Sequence, residues 1–206
     1  MKFIKDLFAI EKRPTKGLFA LEWVAMAYLI LTLIVVMFTY TKAPNPDAMI
    51  WGRIRIAFIT VALWGVYRMI PCRLTRFARV AVQLALLGWW YPDTYELNRM
   101  LPNLDHIFAT YEQALFGCQP ALLFHKALPY PIVSELMDMG YASYYPMILA
   151  VVLFYFIFRY KEFERASFVL LTSFFIYYVI FVALSVSGRT FYYKAIGMSA
   201  ASGGTF

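Results

Sequence analysis

Three long uncharged, mostly apolar runs set the pattern of this chain, at residues 23–41, 139–158 and 166–188. Each is close to the roughly 20 residues that carry a helix across a bilayer. Two shorter uncharged runs lie between them, at 56–67 and 80–91. Twelve helical residues cover about 18 Å of a hydrocarbon core roughly 30 Å thick. These runs reach across only if Arg53 and Arg55, or Arg76 and Arg79, sit at helix ends and snorkel outward. A re-entrant hairpin is the alternative. The pattern therefore predicts an all-α polytopic membrane protein of about five transmembrane helices. The expected spans are 20–41, 52–68, 77–91, 140–159 and 166–188, in one membrane domain over 1–206.

The stretch 92–139 reads differently. It is broken by Pro92, Pro102, Pro120, Pro129 and Pro131, and it carries Asp93, Glu96, Asp105, Glu112, Glu135 and Asp138 against Arg99 and Lys126. Leu104, Ile107, Phe108, Tyr111, Leu115 and Phe116 recur at three- and four-residue steps, which predicts an amphipathic surface helix over 103–116. Short helices are expected over 121–128 and 132–139, with Pro120 and Pro131 placed to start a helix rather than break one.

Charge orients the spans. Segments 1–17, 68–79 and 159–165 hold 12 of the 19 basic residues in short stretches. The positive-inside rule then gives a cytoplasmic N-terminus, an outer segment over 92–139 and an outer tail over 189–206. The implied location is the inner membrane of a bacterium, with the site facing the periplasm.

Composition agrees. Hydrophobic residues make up 62% of the chain and charged ones 15%, against about half and a quarter in a soluble domain. The net charge of +7 does not indicate nucleic acid, because the cations fall in short clusters between apolar spans. The run 23–41 is too long for the core of a cleavable signal peptide. Cys72 and Cys118 fall on opposite sides in this topology, so no disulfide is expected.

Candidate chemistry is sparse. Asp105-His106 is the most polar local pair, but sequence neighbours on a helix face different ways. A helix-end acid beside an interfacial histidine is one reading, and a substrate-facing pair the other. His125-Lys126 suits a helix C-terminus. No spacing favours a metal site built from Asp105, His106, Glu112 and His125. Glu22 reads as a helix-end residue near the headgroups. Ser187-Gly188-Arg189 closes the last run, with Tyr192, Tyr193 and Lys194 just beyond. Those residues suit interfacial anchoring, or a cationic cradle for a lipid phosphate. Transport is disfavoured, since the spans show no paired ionisable residues mid-membrane.

Three stretches carry a resemblance: Tyr91-Pro-Asp-Thr-Tyr-Glu-Leu-Asn-Arg-Met-Leu-Pro-Asn-Leu-Asp-His106, Leu115-Phe-Gly-Cys-Gln-Pro120 and Gly140-Tyr-Ala-Ser-Tyr-Tyr-Pro146. They are similar to segments of the type-2 phosphatidic acid phosphatase superfamily, in the branch that includes inositol phosphorylceramide synthases, and look most like its Bacteroidetes members. The likeness covers roughly residues 20–197. It implies a six-helix bundle that transfers a phosphoryl group or phospho-headgroup through a phosphohistidine, without a metal or other cofactor. Acceptors in that family are water or a lipid hydroxyl.

Two departures qualify what carries over. The family segment matching 185–193 has proline where Ser185 and Arg189 stand here, while Gly188 and Phe191-Tyr192-Tyr193 fit it. The family's Ser-x-His segment and its later histidine with an Asp partner would follow Phe206, and neither His106 nor His125 matches them. The resemblance thus implies the N-terminal portion of a membrane lipid phosphatase or phospho-headgroup transferase, with no catalytic residue of its own. Candidate phosphate or headgroup contacts are Arg189, Lys194, Tyr192, Tyr193, Asp105 and His106. The expected partners are membrane lipids, a lipid phosphate and a C-terminal half carried elsewhere. A non-catalytic lipid-binding or assembly protein is the competing class.

Overall fold

The structure is a computed structural model that describes residues 7–118, 120–128 and 130–186. Among them the chain is helical: α1 (Ala20–Phe38), α2 (Pro46–Met69), α3 (Arg73–Arg99), α4 (Asp105–Phe116), α5 (Pro120–Ala127), α6 (Pro131–Phe158), a 3-10 turn (Tyr160–Glu162) and α7 (Phe163–Ala183). Four stretches are long and apolar enough to cross a membrane: α1, α2, α6 and Tyr160–Ala183. These are the features of an integral membrane protein.

Local chemistry sets the helix ends. The Glu22 carboxylate accepts the Phe19 N–H at 2.8 Å and satisfies a donor that α1 would leave open. Pro46 opens α2 behind Asn45, whose side chain accepts from the Ala48 N–H. The Thr75 hydroxyl accepts the Cys72 N–H at the start of α3. Gly117 ends α4 at φ 65°, a left-handed conformation that glycine adopts without a Cβ clash. Pro120 and Pro131 open α5 and α6, as their positions suggest.

Three boundaries differ from the sequence pattern, all because helices continue through polar residues. α2 runs 24 residues, about 36 Å, well beyond its uncharged stretch. α3 runs 27 residues and encloses Pro92, where the outer segment was expected to begin. Around that proline the Tyr178 hydroxyl donates to the Leu87 carbonyl (3.1 Å) and Thr94 Oγ1 to the Tyr91 carbonyl (2.6 Å). The short helix expected over 132–139 is the first part of the 28-residue α6.

The chain divides into two compact units. The first comprises Met1–Met100 and Val151–Val182, the second Leu101–Ala150 and Ala183–Phe206. In the first, α1, α2 and α3 pack on one another and on the apolar face of α7. Tyr28 stacks on Phe175 (4.6 Å between centroids) and meets Trp90 edge-on (4.9 Å). Gly52 of α2 lies under Trp89 of α3, where a Cβ would fall 2.5 Å from the indole. That notch lets the two backbones approach closely. Outward-facing apolar side chains such as Phe38, Phe58 and Met69 are exposed, as lipid-facing positions would be.

In the second unit α4 keeps Ile107, Phe108, Tyr111, Leu115 and Phe116 exposed. The helix spans 105–116, within the 103–116 expected.

Candidate functional site

Polar residues of α1, α2 and α3 meet inside the first unit in three layers. At one level Arg79 of α3 pairs with Glu22 of α1, and both are essentially fully buried. The guanidinium donates through Nε (2.8 Å) and through Nη2 to the two carboxylate oxygens, and also to the Gly17 carbonyl (3.3 Å). The Phe19 and Tyr67 rings cover it, at 3.7 and 4.9 Å from the guanidinium carbon. At the middle level Gln83 donates to the Thr60 hydroxyl at 2.9 Å. At the third, Arg53 of α2 makes a two-point pair with Asp93 of α3 at 3.2 and 2.7 Å. Its Nε donates to Thr32 of α1 and its Nη1 to the Met49 carbonyl. Trp90 lies 5.7 Å from that guanidinium.

These contacts correct one reading of the sequence and add to another. Arg53 and Arg79 do not snorkel outward: they are 1% and 0% exposed. Glu22 stands in the first turn of α1, at the helix end as expected, and is buried there as the partner of Arg79. Both pairs draw one member from α3, a helix outside the four apolar candidate spans. No run-by-run reading could find the pairs, because the partners are 57 and 40 residues apart. One signal was present: charges interrupting otherwise apolar helices need partners.

A second cluster ties the segment before α1 to the helices. Glu11 Oε2 accepts from the Tyr67 hydroxyl (2.8 Å) and from Arg76 (2.6 Å), and Oε1 accepts from the Tyr160 hydroxyl (2.8 Å). Ile10 forms a bridge with Cys72, and the Glu11 N–H donates to the Pro71 carbonyl at 2.8 Å. Between α1 and α2, Tyr40 donates to Asp47 at 3.0 Å, and that carboxylate pushes the phenol above its usual range.

The second unit contains the sequence-derived candidates that are described. Asp105 is buried: its N–H donates to the Asn103 side chain, and Asn103 Nδ2 donates back to its carboxylate at 2.9 Å. His106 is exposed, so the two neighbours face apart. The turn they occupy meets the segment after α7. The Leu104 N–H donates to the Ser185 carbonyl (2.8 Å), and Ser185 Oγ donates to the Pro102 carbonyl (2.6 Å). Arg189, Tyr192, Tyr193 and Lys194 lie outside the described residues, as do the side chains of His125 and Lys126. Cys72 and Cys118 are free thiols. Among the described residues, no three His, Cys, Asp or Glu side chains gather as a metal site would need.

No family model, no curated protein and no solved structure matches this chain.

Proposed function

We propose that this chain forms the membrane body of a lipid phosphatase or phospho-headgroup transferase of the type-2 phosphatidic acid phosphatase kind. It supplies the groove for lipid tails and part of the headgroup site. One observation carries the reading. The segments that the resemblance singles out, 91–106 and 185–193, are hydrogen-bonded to each other across 83 residues of sequence, through Ser185 and the Pro102–Leu104 turn. Arg189, Tyr192, Tyr193 and Lys194 follow within ten residues of that junction, as cations and aromatics able to hold a lipid phosphate. Ser185 replaces a family proline, and its hydroxyl supplies a bond to the turn that proline could not make.

In this reading α3 is a fifth span. Its 27 residues reach about 40 Å. Its low apolar content comes in part from Arg79, Gln83 and Asp93, and all three are buried against partners in α1 and α2. The cation-rich segments then face the cytoplasm, and the Ser185 junction faces outward. The chemistry belongs to a histidine nucleophile of the family's type, which His106 and His125 do not match. A non-catalytic lipid-binding role stays as the second reading, because Ser185 and Arg189 stand at proline positions.

The test is equilibrium binding of radiolabelled dioctanoyl phosphatidate, against dioctanoylglycerol, to the protein in phosphatidylcholine nanodiscs. Saturable preference for phosphatidate is expected. Arg189→Ala should weaken it by about tenfold, the scale of lost charge-assisted hydrogen bonds. Equal binding of the two lipids would remove the headgroup site. Phosphate release by this chain alone would overturn the absence of catalytic residues.

A further inference from the structure

The segment before α1 is fixed by its backbone and by one carboxylate, and its cations are left over. Glu11 is engaged by Tyr67, Arg76 and Tyr160. The Lys16 carbonyl accepts from Arg68 Nη1 (3.1 Å) and from Trp64 Nε1 (3.3 Å), and the Gly17 carbonyl accepts from Arg79. Arg68 also lies over the Trp64 ring, 5.8 Å from its centroid. The segment is thus held along the end of α2 by contacts that leave the side chains of Lys12, Arg13 and Lys16 exposed.

Among the described residues, the acids of this end are taken. Glu22 is matched by Arg79, Glu11 and Glu164 by Arg76, and Glu162 by Arg159. Lys12, Arg13, Lys16 and Arg68 have no carboxylate partner among the described residues. Phe8 and Ile10, 63% and 73% exposed, precede them in the same segment. Four unmatched cations, an interfacial tryptophan and two exposed apolar side chains at the end of a membrane-spanning helix complement one kind of surface. Anionic headgroups would neutralise the cations, and the apolar side chains would enter the acyl boundary.

We infer that the segment 8–16 and Arg68 form a binding site for anionic phospholipid headgroups in the leaflet at this end of the first unit. The site rests on membrane insertion alone and is independent of the phosphotransfer reading. Guanidinium and ammonium groups would hold the lipid phosphate, with Arg68 pre-set by its bond to the Lys16 carbonyl.

The test uses the whole chain in nanodiscs of phosphatidylcholine doped with phosphatidylglycerol, with the retained lipids counted by native mass spectrometry. Phosphatidylglycerol should be enriched several-fold over its share of the bilayer. The triple variant Lys12→Gln, Arg13→Gln, Lys16→Gln should lose the enrichment, at about fivefold in affinity for each cation removed. The matched variant Lys42→Gln, Arg55→Gln, Arg99→Gln, which removes the same charge elsewhere, should keep it. Glu11→Gln keeps the four cations but loosens the segment, and should lower the enrichment. No enrichment by the natural protein, equal loss in both triple variants, or a rise in Glu11→Gln would each overturn the site in favour of general charge.

Discussion

The two buried ion pairs of the first unit use the same chemical groups at the same depth of burial, but in different company. Arg79 and Glu22 are closed over by the Phe19 and Tyr67 rings, beside the exposed segment that leads into α1. Arg53 and Asp93 sit where three helices meet, and Thr32 and the Met49 carbonyl take the remaining guanidinium bonds. The first pair joins α3 to the first turn of α1, and the second joins α3 to the body of α2. Losing a partner should be worse at the second, where a single ring, Trp90 at 5.7 Å, lies near the guanidinium in place of two closer ones.

Asp93→Ala should have the largest effect. A guanidinium cannot shed its proton, and an orphaned buried charge costs about 3–5 kcal/mol. Thermal unfolding in detergent reads this out, and a variant as stable as the natural protein would break the contrast. Glu22→Ala should cost less, because the two rings still face Arg79; aromatic cover of a desolvated cation is worth up to about 2 kcal/mol. Equal losses at the two ends would show that the rings add nothing.

Replacing the whole second pair sharpens the point. Arg53→Met combined with Asp93→Leu should come within about 1 kcal/mol of the natural protein, since apolar groups of similar volume often substitute for buried ions. If the double variant is as poor as Asp93→Ala, the pair has a role beyond neutralising itself. Phe19→Leu, which keeps the apolar bulk and removes the ring, should cost about 1–2 kcal/mol at the Arg79 end. Ser185→Ala, outside both pairs, should cost about 1 kcal/mol for its bond to the Pro102 carbonyl, the smallest of the single substitutions.

The helices themselves were legible in the sequence wherever apolar runs were long. The cores of α1 and α7, the last part of α6 and the surface helix α4 all lie where periodicity or length put them, and Pro120 and Pro131 mark true starts. Boundaries failed where a charge was taken as an end. At Arg53, Arg79 and Asp93 the helix continues, because a partner on another helix removes the need to reach water. Hydropathy counts a residue's own polarity and is blind to compensation by a residue dozens of positions away. Pro92 misled as well: it lies inside α3, which runs on to Arg99. At the candidate site the Asp105–His106 split was legible from helix geometry. The meeting of Ser185 with Pro102 was not, because a loop-to-loop bond leaves no periodic trace.

The distance along the chain between Arg53 and Asp93 also dictates an order of birth. Forty residues separate them, so Arg53 leaves the ribosome while its counter-charge is still inside the exit tunnel. Until α3 follows, α2 carries a guanidinium with nothing to neutralise it in lipid. If α3 is a span, the two helices are expected to enter the bilayer as a hairpin, the earlier one waiting at the membrane surface for the later. Stalled nascent chains test this. Chains just long enough to expose α2, with α3 still in the tunnel, should leave α2 accessible to water-soluble thiol reagents at an introduced cysteine, and chains long enough to expose all of α3 should protect it. Protection of α2 in the shorter chains would mean that it inserts alone.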